Sequence, residues 1–178
     1  NGDVLWKTSG ESVQGNLLAL DTAHDMLVMT YYEAHPFLTL GLPAGVTERM
    51  AGFRASDGKL AWSAATGIPA SAKSRPVIID DQIFIEPCSW NVKTGEKLDI
   101  PFDRSYGCGM VAASRRMMLF RSGTLGYRNL DEPESRTENY GGIRPGCWIN
   151  AIPAGGLVLM PDATERCNCS YLMRATVA

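Results

Sequence analysis

This chain of 178 residues contains five cysteines and a few polar side chains that could take part in binding or catalysis. Cysteine thiols form disulfide bonds or bind metals. Because five is an odd number, at least one thiol has no partner within the chain. This cysteine usage favours an oxidising compartment, so we predict a periplasmic or extracellular protein. The five are Cys88, Cys108, Cys147, Cys167 and Cys169.

Disulfide bonds are the role that we predict for four of these cysteines. Cys147 can pair with Cys167, and Cys169 can then reach Cys108, provided that the Cα atoms come within about 7 Å. A bridge that closes a loop of about 20 residues contributes about 3 kcal/mol. Inert thiols are one alternative. A metal or redox site made from the same four is another, but the C-x-C spacing fits structural zinc poorly. We therefore predict no bound metal, and Cys88 receives no partner in this scheme.

Two arginines, Arg121 and Arg144, together with Trp148 and Asn150, are the candidate ligand-binding residues. A guanidinium can bind a carboxylate or a sulfate through two parallel hydrogen bonds. An indole can stack on a ring or a sugar. The alternative is structural: both arginines bond to backbone carbonyl groups, and Trp148 fills the space between two sheets. The G-x-S-x-G motif of a nucleophilic serine is absent, and we predict no catalytic residue.

A repeated hairpin must position these residues. It is an apolar strand, a tight turn and a second apolar strand, and it occurs four times. The turn centres, Asp25, Asp81, Arg115 and Gly155, are 56, 34 and 40 residues apart. Two of these intervals are close to the roughly 40-residue period of a β-propeller blade. The hairpins are Leu17–Tyr32, Pro76–Glu86, Met110–Phe120 and Ile149–Met160, the last with its turn at Pro153–Gly156.

A second pair of strands follows each hairpin, and no stretch keeps the apolar period of a helix. The sequence therefore predicts an all-β fold, a partial or small β-propeller of about four four-stranded antiparallel blades. A tryptophan shortly after the outer turn is expected to pack between neighbouring sheets. The segment Glu33–Arg49 interrupts the repeat and either covers a blade edge or forms part of a binding rim. The predicted blades are residues 11–64, 74–100, 106–142 and 146–178, and residues 1–10 supply a strand of a preceding or closing blade.

The strand order brings all five cysteines to one end of the sheets. In a four-stranded meander, the start of the first strand and the connection between the second and third strands lie at the same end. Cys108 and Cys147 precede first strands, whereas Cys88, Cys167 and Cys169 lie in connections between second and third strands. Arg121, Arg144 and Trp148 are predicted to lie at the same end of the sheets. We predict that this end is the ligand face.

The outer strands at Phe53–Trp62 and Trp90–Leu98 resemble the PQQ-like repeat of quinoprotein-alcohol-dehydrogenase-type β-propellers, in which Asp or Thr, Gly and Lys precede Leu-x-Trp. Four segments of the second half look like the C-terminal block of large secreted bacterial PQQ-like propeller proteins. This resemblance implies the propeller fold. The four segments are Tyr106–Gly109, Phe120–Gly123, Gly141–Asn150 and Cys167–Tyr171.

The same resemblance bears on cofactors. Quinone-dependent dehydrogenases with this repeat use eight blades, a calcium ion, a catalytic aspartate and two adjacent disulfide-bonded cysteines. This chain has about four blades, no Cys-Cys pair and no acidic cluster on the predicted channel. We predict no cofactor for it, and PQQ is expected only within a larger parent protein.

Charge and hydropathy exclude several kinds of partner. A net charge of −2 provides no basic stripe for nucleic acid, and no apolar run approaches the roughly 20 residues of a membrane span. We expect a non-catalytic, exported binding or scaffold module. Its partners would be the remaining blades of a parent protein or a second copy, and a protein or carbohydrate ligand. The alternative is a domain of a quinone- or metal-dependent oxidoreductase that uses the cysteine face.

Overall fold

The computed structural model describes residues 2–7, 17–31, 49–65, 75–86, 88–105, 107–146 and 151–161. These residues form fourteen β-strands and no helix, which confirms the all-β prediction. No segment among them is a helix able to cross a lipid bilayer. The segment 33–48 and the strands predicted after residue 161 lie outside the described residues.

The first sheet is a four-stranded antiparallel meander whose strands follow one another in chain order. Its first hairpin closes through Asp25, which adopts a positive φ of 56°. Asp tolerates this left-handed conformation better than most residues. The turn predicted at Asp25 is therefore confirmed. The strands are β1 (Leu17–Asp21), β2 (Met26–Tyr31), β3 (Arg49–Arg54) and β4 (Leu60–Ala65).

The second sheet repeats this arrangement on shorter strands. Its hairpin turns at Asp80, whose φ is 52°, as the sequence predicts. Ile83, Phe84 and Ile85 are all buried, so this strand packs on both faces and does not alternate. The strands are β5 (Val77–Ile79), β6 (Gln82–Ile85), β7 (Cys88–Asn91) and β8 (Lys97–Leu98).

The third sheet has the order β12-β11-β10-β9, and a separate two-stranded ladder follows it. One detail of the fourth hairpin differs from the prediction. Pro153 lies in a strand and pairs with Val158, and the turn is made by Gly155 and Gly156, both at positive φ. Proline is tolerated there because this short ladder leaves edge positions that need no N–H donor. The strands are β9 (Ala112–Ala113), β10 (Met117–Ser122), β11 (Thr124–Asn129), β12 (Glu138–Asn139), β13 (Ile152–Ala154) and β14 (Leu157–Leu159).

The chain divides into two units, each with its own buried cluster. Unit 1 comprises residues 1–84 and 89–99, and unit 2 comprises residues 85–88 and 100–178. In unit 1, Met29, Ala51 and Phe53 form a buried cluster. In unit 2, the equivalent cluster contains Leu119, Leu125, Ala151 and Met160.

Two tryptophans of unit 1 join successive segments in the same way. Trp62 donates its indole N–H to the carbonyl oxygen of Val92, 2.9 Å away, and its ring lies against Gly95. Trp6 donates to the carbonyl oxygen of Ala55 at 2.7 Å, and its ring lies against Gly58. The predicted packing of a tryptophan between neighbouring sheets is therefore confirmed at Trp62. Trp6 makes the same contacts from residues 2–7, which form no strand, in contrast to the strand predicted for residues 1–10. We call each contact a tryptophan joint.

Candidate functional site

A loop of unit 2 carries Cys108, one of the three predicted site residues that the structure describes; the other two are Arg121 and Arg144. It comprises residues 101–105 and 107–110, and it leads into β9. The backbone N–H of Ser105 donates to Oγ of Ser122 at 2.9 Å, and the two hydroxyl groups are 3.1 Å apart. Since Ser122 is buried at the end of β10, these bonds fix the loop on the sheet. We call it the 101–110 loop.

An ion pair supports the 101–110 loop from its buried side. Nε of Arg104 lies 2.7 Å from a carboxylate oxygen of Glu86, and the Arg104 side chain is only 3% exposed. Another nitrogen of the same guanidinium donates to the carbonyl oxygen of Gly109 at 3.2 Å. One side chain therefore links the end of β6 to the loop. The two charges are 18 residues apart in sequence, and no local spacing predicts their pairing.

Arg121 and Arg144 are both buried, at 1% and 3% exposure, and both have interaction partners. Arg121 lies on β10 beneath the loop, where a Cβ at Gly107 would stand 2.6 Å from its Cγ. A glycine at 107 is therefore what allows the loop backbone to approach this arginine. Trp148 and Asn150 lie outside the described residues, so the grouping of the four candidate ligand-binding residues stays a prediction.

A third buried arginine was not anticipated from the sequence. Arg128, on β11, donates to the carbonyl oxygen of Pro101 and so holds the start of the 101–110 loop. Burial lowers the pKa of Arg128, and the neighbouring charge of Arg136 lowers it further. Arg104 and Arg128 therefore both donate hydrogen bonds to carbonyl oxygens of the 101–110 loop. The structural alternative drawn from the sequence, arginines bonded to loop carbonyls, is thus seen at two arginines that it did not name.

The two cysteines in the described residues both carry free thiols. Cys88 begins β7 and is half-buried, whereas Cys108 is exposed in the 101–110 loop. Cys108 therefore differs from its predicted role as half of a disulfide; its free thiol stands in a loop that the serine and arginine contacts already hold. Its predicted partner Cys169, and the pair Cys147 and Cys167, lie outside the described residues.

Metal-ligating groups do not converge in the part of the chain that the structure describes. No set of three or more His, Cys, Asp or Glu residues there could hold a metal ion. His24, in the first hairpin turn, lies 2.5 Å from a carboxylate oxygen of Asp21. The other oxygen of Asp21 accepts the backbone N–H of Ala23. These contacts stabilise the turn of the first hairpin.

The 101–110 loop thus presents an exposed thiol, that of Cys108, on a support that includes the buried side chains of Arg104, Arg128 and Ser122. Preformed groups lose little conformational entropy when they bind a ligand. Such an arrangement is suited to binding the surface of a ligand.

Comparison with known proteins identifies the architecture. No family model matches the sequence, and a search of curated proteins gives no significant match. The structure is similar to the crystal structure of BamB from Moraxella catarrhalis, with a TM-score of 0.59 and 12% sequence identity. The similarity covers 89% of this chain and 47% of that one, so this chain spans about half of the BamB length. BamB is a β-propeller, and the fold of this chain is therefore that of a β-propeller.

Proposed function

We propose that the chain is a non-catalytic binding or scaffold module of the β-propeller type, and that the 101–110 loop is part of its ligand face. One observation carries this proposal: the loop is fixed from its buried side, yet its Cys108 is exposed. The Arg104–Glu86 pair and the Ser105–Ser122 bonds hold the loop backbone, while Cys108 faces solvent.

The finer features of the proposal come from the sequence. The ligand face would also include Arg121, Arg144, Trp148 and Asn150, and a protein or a carbohydrate would be its ligand. The chain would be exported, would belong to the PQQ-like repeat group and would associate with further blades or with a second copy. The similarity to BamB supports the propeller scaffold on which these features depend.

Site-specific photo-crosslinking tests the face. A benzophenone amino acid at position 108 should capture a partner when the chain is expressed with an export signal, whereas the same group at Lys97, exposed on β8, should not. The captured partner is then purified and titrated with the wild-type chain and with the Cys108→Arg and Lys97→Glu variants. The proposal expects Cys108→Arg to weaken binding about tenfold or more. Equal binding by both variants would contradict it. A carbohydrate ligand is tested with the same variants on a glycan array.

A second candidate function is an oxidoreductase domain. The observation that favours it is that unit 2 contains two free thiols, those of Cys88 and Cys108. That function requires a redox-active thiol pair, a bound metal or a quinone. Metal analysis of the purified protein, together with titration by PQQ, distinguishes it from a binding module. Stoichiometric metal or saturable quinone binding would favour the oxidoreductase.

A further inference from the structure

Unit 2 contains a cavity of about 390 Å³ between the third sheet of the chain and the β13–β14 ladder. Leu119, Leu125 and Met160 line it and belong to the buried cluster of this unit. A second methionine, Met117, also lines it and packs against that cluster. The sheets therefore leave a gap in an otherwise apolar core, and the gap is large enough to hold a small molecule.

The mouth of this cavity is preformed by a short turn. The N–H of Leu125 donates to the carbonyl oxygen of Ile143, and the carbonyl oxygen of Leu125 accepts the N–H of Tyr140, each at 2.8 Å. Both backbone groups of one strand residue thus hold the turn that carries Tyr140. The Tyr140 side chain is 69% exposed and lines the cavity, so it lies where the cavity meets solvent.

The second tyrosine of the cavity wall is fixed as well. The hydroxyl group of Tyr127 donates to a carboxylate oxygen of Glu138 at 2.7 Å. This bond raises the pKa of Tyr127. The described lining is aliphatic, thioether or phenolic, with no charged side chain. An anion placed there would have no cationic partner in the described lining and would lie near the carboxylate of Glu138.

We propose that this cavity binds an uncharged aromatic molecule of two or three rings. An apolar cavity of about 150 Å³ holds benzene, so the larger volume here accommodates more than one ring. Methionine sulfur and tyrosine rings both make favourable contacts with aromatic groups, which favours a ring system over an acyl chain. The apolar lining and the nearby carboxylate of Glu138 select against a negatively charged substituent.

Two fluorescent probes with the same rings test this site. N-phenyl-1-naphthylamine is uncharged, whereas 8-anilino-1-naphthalenesulfonate carries a sulfonate on the same ring system. We expect the neutral probe to bind saturably with one site per chain, about tenfold or more tightly than the sulfonate. Absence of saturable binding by the neutral probe, or equal affinity for the two probes, would overturn the proposal.

Adjacent residues of β14 provide a matched pair of variants. Val158 lines the cavity, whereas Leu157 is 57% exposed and points to the opposite face of the strand. Val158→Trp should fill the cavity and weaken binding of the neutral probe about tenfold or more, and Leu157→Trp should leave it unchanged. Equal effects of the two substitutions would place the probe elsewhere and overturn the proposal.

A second variant covers the case in which Val158→Trp does not fold, as judged by circular dichroism. Met117→Phe adds volume to the cavity wall from β10 and is expected to displace the same probe. If Met117→Phe folds and binds the neutral probe like the wild type, the cavity is not the binding site.

Discussion

The indole ring of Trp62 lies on Gly95 in the turn of the following sheet. A Cβ at Gly95 would stand 2.4 Å from Cε3 of this ring, and the glycine has a φ of 70°. Both the contact and the backbone conformation exclude a side chain at this position. Together with the hydrogen bond to Val92, they make the tryptophan joint between the first and second sheets.

Gly95→Ala should therefore destabilise the protein by about 3 kcal/mol, because it combines overpacking with a left-handed backbone. Denaturant unfolding measures the loss. Gly156→Ala is the matched control, since Gly156 also has a positive φ but a Cβ there would meet nothing within 4 Å. Gly156→Ala should lower the free energy of unfolding by only about 1–2 kcal/mol. Equal losses would show that the indole moves aside and that the joint is not tightly packed.

Removing the carboxylate of Glu86 should cost about 3 kcal/mol, because it leaves the buried guanidinium of Arg104 without its counter-charge. The free energy of unfolding of Glu86→Ala measures this. The exposed pair Arg116–Asp131, with side chains 81% and 54% exposed, provides the comparison, and Arg116→Ala should cost less than about 1 kcal/mol. A small loss for Glu86→Ala would mean that the 101–110 loop does not depend on this ion pair.

Asp57 should contribute to stability in a pH-dependent way. Its pKa is lowered from 3.8, first by the hydrogen bond from the backbone N–H of Lys59 and then by Arg54. The ionised carboxylate therefore stabilises the folded state above about pH 3.8, and this contribution is lost as the pH falls through the lowered pKa. At neutral pH the free energy of unfolding should be higher for the wild type than for Asp57→Asn. This difference should shrink as the solution is made acidic. A constant difference would assign the effect to packing.

The Cys108 thiol should react with iodoacetamide in the native, unreduced protein, and faster than the half-buried Cys88. Peptide mass mapping after timed alkylation measures both rates. If Cys108 reacts only after reduction, it is held in a disulfide, as the sequence analysis predicts.

The turns and the joints are the parts of the fold that the sequence predicts best. Asp25 and Asp80 reveal their turns because few residues tolerate positive φ. The contact of Trp62 with Gly95 is repeated by Trp6 and Gly58, although 33 residues separate the first pair and 52 the second. Each of these signals depends on a conformational requirement of one or two residues.

The candidate site was harder to predict because its key contacts are not local. Arg121 lies in a strand whose residues from Met118 to Ser122 are all buried, and such a strand has no alternation to separate inward from outward positions. Glu86 and Arg104 lie in different segments, and only the folded chain brings them together. The signal that could have been used is Gly107, whose lack of a side chain allows close contact with Arg121.

The tryptophan joints also have an evolutionary consequence. Each one connects a segment to the turn of the next through the same pair of contacts, so the stability of such an array is approximately a sum over neighbours. Duplication of a sheet together with its tryptophan and glycine adds one term to that sum and leaves the other joints as they were. A gene of this kind can lengthen or shorten by whole repeats without redesign of the sequence that it retains.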